Sequence, residues 1–152
     1  MRAIEAWLGD LRCAIALEAI DEVLPLVEAR PLGSTPAWLV GIAFLRGAFV
    51  PLVDAPLLAC GTPAARTMNA RTVLLRPAAC SGIRMALLVD RVGALVTVNF
   101  ESGAAHLGVV GAGAGALGAI SSDDHGTIAH LDPAGMLSEE NRRLFKDAAG
   151  KP

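Results

Sequence analysis

The chain has 152 residues, 53% of them apolar and 18% charged, with a formal net charge of −2 and a pI of about 5.9. That length holds one domain, or two small halves around a common core. The charge balance excludes the broad basic footprint of nucleic-acid binding and argues against anchoring on anionic lipid.

Strand signals recur at short intervals, separated by Gly, Pro, Asp and Asn. Ala3–Leu8 ends at the turn pair Gly9-Asp10, Arg12–Glu18 follows, and then Ile20–Val27. Pro31, Gly33 and Pro36 punctuate a loop, and residues 37–40 read as a short helical turn. Ile42–Arg46 and Ala48–Val53 are two apolar runs meeting at Arg46-Gly47. Pro51 inside the second run predicts an edge strand or a bulge. Pro56–Cys60 reads as one more helical turn. The second half continues with Arg71–Arg76, Arg84–Asp90, Gly93–Val98, residues 115–121 and Thr127–Leu131, with a tight turn at Asp123–Gly126. From Pro133 the pattern changes: MLSEENRRLFKDAA predicts a helix with Ser138 at its N-cap and an apolar stripe of residues 137, 144 and 145.

No long helices alternate with the strands, which argues against a parallel βαβ architecture. Many short strands point to barrels or a sandwich. Poor alternation in VLLRP, MALLVD and IAFL fits strands buried on both faces, as where two small barrels pack together. The high apolar share also fits a surface offered to a partner.

Cys13, Cys60 and Cys80 are odd in number, widely spaced and without a C-x-x-C. They fit a reduced cytosolic chain with buried thiols, not a disulfide framework or a zinc site. The N-terminal MRAIEAWLGD carries Glu5 and Asp10 and forms no apolar h-region, so it does not read as a signal peptide. Residues 102–122 are uncharged and long enough to span a bilayer, but their Gly and Ala content reads as a soluble Gly-rich segment.

Candidate chemistry is sparse. Gly113, Gly115 and Gly118 spell a formal G-x-G-x-x-G, which in a dinucleotide fold opens a helix beneath a pyrophosphate. No amphipathic helix follows them, so a loop leading into a strand is the stronger reading. A nucleotide-binding module or enzyme using residues 108–118 stays as the alternative. His125 and His130 stand near Asp123, Asp124 and Asp132, but their spacing fits a polar hairpin better than a metal site. No catalytic constellation, metal site or cofactor site emerges. Charged side chains avoid burial unless paired. Arg46, alone between oily strands, therefore calls for a surface role or a partner, and Glu22 in the run IDEVLP is the candidate.

The stretch from Glu18 to Asp54 resembles the CheW-like domain family of bacterial chemosensory systems. The resemblance rests on Ile20-Asp21-Glu22-Val23, Val40-Gly41 after Pro36, Phe44-Leu45-Arg46-Gly47 and Pro51-Leu52-Val53-Asp54. RTVLL at 71–75, GIRMALLVDRVGAL at 82–95 and GALGAI…TIAHLDPAGML extend it along nearly the whole chain. Phe44 stands where the family keeps an Asn.

The resemblance implies two intertwined five-stranded SH3-like β-barrels sharing an apolar core, with short helices and a C-terminal helix. Residues 1–152 would form a single domain of two barrel subdomains. It also implies a non-enzymatic, cytoplasmic adaptor without cofactor, nucleic-acid or membrane-inserted contacts. Its partners would be the regulatory domain of a CheA-type histidine kinase and the cytoplasmic tip of methyl-accepting receptors. The protein-binding positions would be Ile20, Glu22, Val23, Gly41, Ile42, Arg46 and Gly47, with Glu22 and Arg46 as a charged pair.

Overall fold

The computed structural model describes residues 1–100, 105–106, 117–136, 138 and 142–145. Among the described residues, eleven strands form two sheets. The first joins β1 (Arg2–Leu8), β2 (Leu11–Ala16), β8 (Arg91–Thr97), β9 (Ala105–His106), β10 (Leu117–Asp123) and β11 (Gly126–Leu131) in the order β8-β1-β2-β11-β10-β9. The second joins β3 (Ile20–Pro25), β4 (Leu39–Leu45), β5 (Ala48–Asp54), β6 (Arg71–Leu75) and β7 (Ala86–Val89) in the order β3-β6-β7-β5-β4. The second sheet is thus inserted, in sequence, between the early and late strands of the first.

Both sheets follow the expected strand positions closely. Leu17–Ala19 form a 3-10 turn after β2 where a strand to Glu18 is expected, the first sheet has six strands where five are expected, and three further details differ. Residues 37–40 are not a helical turn: Ala37 and Trp38 make a turn, and β4 begins at Leu39, whose N–H reaches the Pro36 carbonyl at 3.0 Å. The two-residue β9 lies inside the stretch read as loop. Pro51 sits in a strand flanked on both sides, not at an edge. Its place is tolerated because Ile42 and Pro51 oppose each other at a non-hydrogen-bonded position of the β4–β5 ladder, and the parallel ladder with β7 starts only at Leu52.

Asp54 ends β5 and caps α1 (Ala55–Cys60): its Oδ1 accepts the Leu57 N–H at 3.0 Å and the Ala64 N–H at 3.1 Å. Gly61, at φ 79°, closes the helix through the left-handed region. Of the C-terminal helix, residues 142–145 are described and helical. The Arg142 N–H bonds the Ser138 carbonyl at 2.8 Å, which starts the helix where the sequence places its cap.

The sheets share one large core. Leu8 and Ile15 from the first meet Val53, Val73, Leu87 and Val89 from the second, and Met136 and Phe145 seal it from the C-terminal side. Phe145 is fully buried and stacks on Trp38 with ring centroids 5.8 Å apart. A separate cluster of Ala43, Leu45, Val50, Leu52, Leu74 and Leu88 fills the inside of the second sheet. Its strands are therefore apolar on both faces, which is why their alternation fails.

Neither strand order closes on itself by continuous pairing among the described residues. The second sheet is drawn shut differently. Beyond β3 the chain crosses to the far edge, where Arg30 and Ile42 form an isolated antiparallel bridge, with bonds of 2.8 and 2.9 Å. This closure gives the sheet its SH3-like barrel character.

Candidate protein-docking surface

The β4–β5 hairpin turns through Arg46-Gly47, with Leu45 paired to Ala48. Their φ angles are 52° and 77°, both positive, as the tight hairpin turn that matches strand twist requires. Gly47 adopts this freely. Arg46 carries a Cβ into the left-handed region, which disfavours ordinary side chains.

What Arg46 gains is Glu22. Its Nε donates to Glu22 Oε2 at 2.5 Å, and its Nη2 lies against the same oxygen. The Arg46 side chain is 60% exposed and that of Glu22 30%. Hydrogen bonding and attraction to Glu22 raise the Arg46 pKa above its ordinary value. Asp21, next to Glu22, takes a second bond from Arg84 at 3.2 Å.

Behind the rim lies Gly41, buried at φ 154° within a bulge of the β4–β5 ladder. A Cβ there would collide with the Arg30 carbonyl, landing 2.6 Å from its carbon. The bulge has a second effect. It shifts the face of β4 so that Ile42 and Phe44 continue the side on which Leu39 packs into the shared core, while Ala43 and Leu45 point into the barrel.

The structure thus divides the seven expected positions. Ile20 (6% exposed), Gly41 and Ile42 (8%) are buried, Glu22 and Val23 are half-buried, and Arg46 and Gly47 are exposed. Glu22, Arg46 and Gly47 come together at one rim; Gly41 and Ile42 form the barrel closure below it. Ile20 pairs with Leu75 inside the sheet.

Sequence reasoning missed an exposed aromatic pair on the same hairpin. Phe44 (65% exposed) and Phe49 (42%) oppose each other across the ladder, ring centroids 5.2 Å apart. Counting outward from a two-residue turn at Arg46-Gly47 would have found them. They line a cleft of about 640 Å³ with Ile42, Pro31 and Leu32.

An ion cluster, also unforeseen, sits on the other sheet, with Arg12 and Glu5 buried and Asp123 exposed. Arg12 Nε donates to Glu5 Oε2 at 2.6 Å, and its two terminal nitrogens donate to the Asp123 oxygens at 2.8 and 2.9 Å. The Arg12 bonds, with the His125 N–H, hold the Asp123 carboxyl at about 2. Burial works to raise Glu5, but Arg12 and the Ala94 N–H outweigh it and leave its pKa below the usual value. Each of the three Arg12 nitrogens donates within the protein, so the cluster ties β1, β2 and β10 together.

The other motifs assemble nothing. Gly118 lies in β10 and opens no helix; Gly113 and Gly115 fall outside the described residues. His130 stacks on Phe100 at 5.3 Å. No three His, Cys, Asp or Glu side chains converge on a metal position among the described residues. Burial pushes the Cys13 and Cys80 thiols up to about 12, far from nucleophilic chemistry at neutral pH. No helix among the described residues is long and apolar enough to cross a membrane.

Two SH3-like β-sheets around one shared core, with a charged rim on the second, define a double SH3-like domain. Residues 4–141 match the CheW-like domain family, and the chain belongs to it. It is a scaffold-type domain of chemosensory signalling. The fold is similar to the crystal structure of the scaffolding protein TtCheW from Thermoanaerobacter tengcongensis, with a TM-score of 0.73, 17% identity, and 86% of this chain and 87% of that one covered. Comparison with curated protein sequences finds no match.

Proposed function

We propose that this chain is a non-enzymatic, cytoplasmic adaptor that joins the cytoplasmic tip of methyl-accepting receptors to the regulatory domain of a CheA-type histidine kinase. The observation that carries the reading is the Glu22–Arg46 pair. It stands on an exposed rim, held by a hairpin turn that costs backbone strain at Arg46. An exposed pair contributes little to stability, so a strained, solvent-facing arginine fits a contact role better than a structural one. Glu22, Val23, Arg46 and Gly47 supply the contact in this reading. Ile20, Gly41 and Ile42 hold its shape from beneath.

Calorimetric titration of the chain with the cognate kinase regulatory fragment, and separately with a receptor-tip fragment, tests this. Heats that fit a dissociation constant of tens of micromolar or tighter are expected, the range of transient signalling contacts. Silence with both fragments at those concentrations overturns the proposal.

A further inference from the structure

We propose that the cleft beside Phe44 and Phe49 receives a short extended segment of a partner protein, which bonds the free main chain of Phe44 on the outer side of β4. Leu45 and Ala48 flank the two-residue turn and exchange hydrogen bonds, so Phe44 and Phe49 do not, and the Phe44 N–H and C=O point to the outer edge. Two residues back, Ile42 presents its N–H and C=O to the same edge, where the chain's own Arg30 takes both, antiparallel. At Phe44 that pairing stops. Residues 28–32 line the cleft beside it, and no hydrogen-bonding group meets the Phe44 main chain on that side among the described residues. An unpaired strand edge is a template for another strand.

The size of the patch selects the occupant. Phe44 and Phe49 are 65% and 42% exposed, which leaves on the order of 200 Å² of aromatic surface. A stable folded partner or a second copy buries about 800 Å² on each side. A short segment needs far less, and only an extended one satisfies the Phe44 main chain while laying an apolar side chain on the two rings. Glu28 and Arg30, both exposed and without a side-chain partner among the described residues, stand on the opposite wall. They suit a segment whose apolar anchor is flanked by charges of both signs. The occupant's site adjoins the Glu22–Arg46 rim but does not require it.

The test is selection of a random heptapeptide phage library on the full chain, with counter-selection on Phe44→Asn. Selected peptides, synthesised and titrated, are expected to lose about ten- to a hundredfold in affinity on Phe44→Asn or Phe49→Thr. They should also protect the Phe44 amide from hydrogen exchange. Both variants change exposed positions, and unchanged melting curves confirm that they fold. Three results overturn the proposal: no clone that depends on Phe44, bound peptides that leave the Phe44 amide unprotected, or concentration-dependent self-association of the chain that Phe44→Asn abolishes, which assigns the edge to a second copy.

Discussion

Glu22 and Arg46 lie toward opposite ends of one five-stranded sheet, Glu22 on edge strand β3 and Arg46 in the hairpin that begins at edge strand β4, yet their side chains are bonded. The sheet must therefore curl until its two edges face each other. The Arg30–Ile42 bridge does the same with main-chain atoms. One pair is exposed and adjustable, the other sits over a buried glycine.

Reversing the exposed member separates contact from stability. Arg46→Glu places two acids together at the rim, but the side chain it replaces is 60% exposed. The melting temperature is expected to stay close to that of the parent chain, while titration heats with the kinase fragment collapse. Arg46→Asn, a residue that suits the left-handed turn position, should fold as well as the parent and bind weakly. A large drop in melting temperature for both would make Arg46 structural.

The buried member behaves oppositely. Gly41→Ala forces a Cβ into the Arg30 carbonyl at a positive φ. A loss of about 1–3 kcal/mol is expected, read as a lower denaturant midpoint with an unchanged slope. A variant as stable as the parent would show that the 28–32 segment yields easily.

Asp54 holds two N–H groups at once, Leu57 and Ala64, and is 4% exposed. Asp54→Ala leaves them without an acceptor and should cost about 1–3 kcal/mol. Chemical denaturation checks the loss, and Asp54→Asn should recover part of it.

Acid acts through Asp123. Its carboxyl is held at about 2, below the ordinary 3.8, so the folded chain binds that proton more weakly than the unfolded one. The stability it contributes is complete above about pH 4 and is lost as the pH falls toward 2. Melting temperatures measured across that window should fall for the parent chain and fall less steeply for Asp123→Asn. Parallel curves would remove Asp123 from the acid response.

Much of the fold was legible because it is local. The hairpins at Gly9-Asp10, Arg46-Gly47 and Asp124-His125 follow from turn residues between apolar runs, and the two-sided burial follows from failed alternation. Barrel closure is not local. The sequence offers Glu22 as a partner for Arg46 without placing their strands; the strands are the sheet's far edges, and curvature brings the charges together. Nothing in the segment around Arg30 announces a bridge to Ile42, and Pro51 misled because its missing N–H matters only on the side where a ladder runs. The Arg12 cluster escaped notice because Glu5 and Asp123 lie far apart in the chain.

The insertion of one sheet inside the other has a consequence for how the chain matures. Residues 20–89 carry every strand of the second sheet, so it can pair fully while the β1–β2 hairpin still lacks its neighbour. On the β2 side that neighbour is β11, which joins in parallel through Ala129 and Cys13, and on the β1 side it is β8. On a ribosome, the hairpin made first is among the last elements to be enclosed, and until β11 emerges its open side is exposed to chaperones and to other nascent chains.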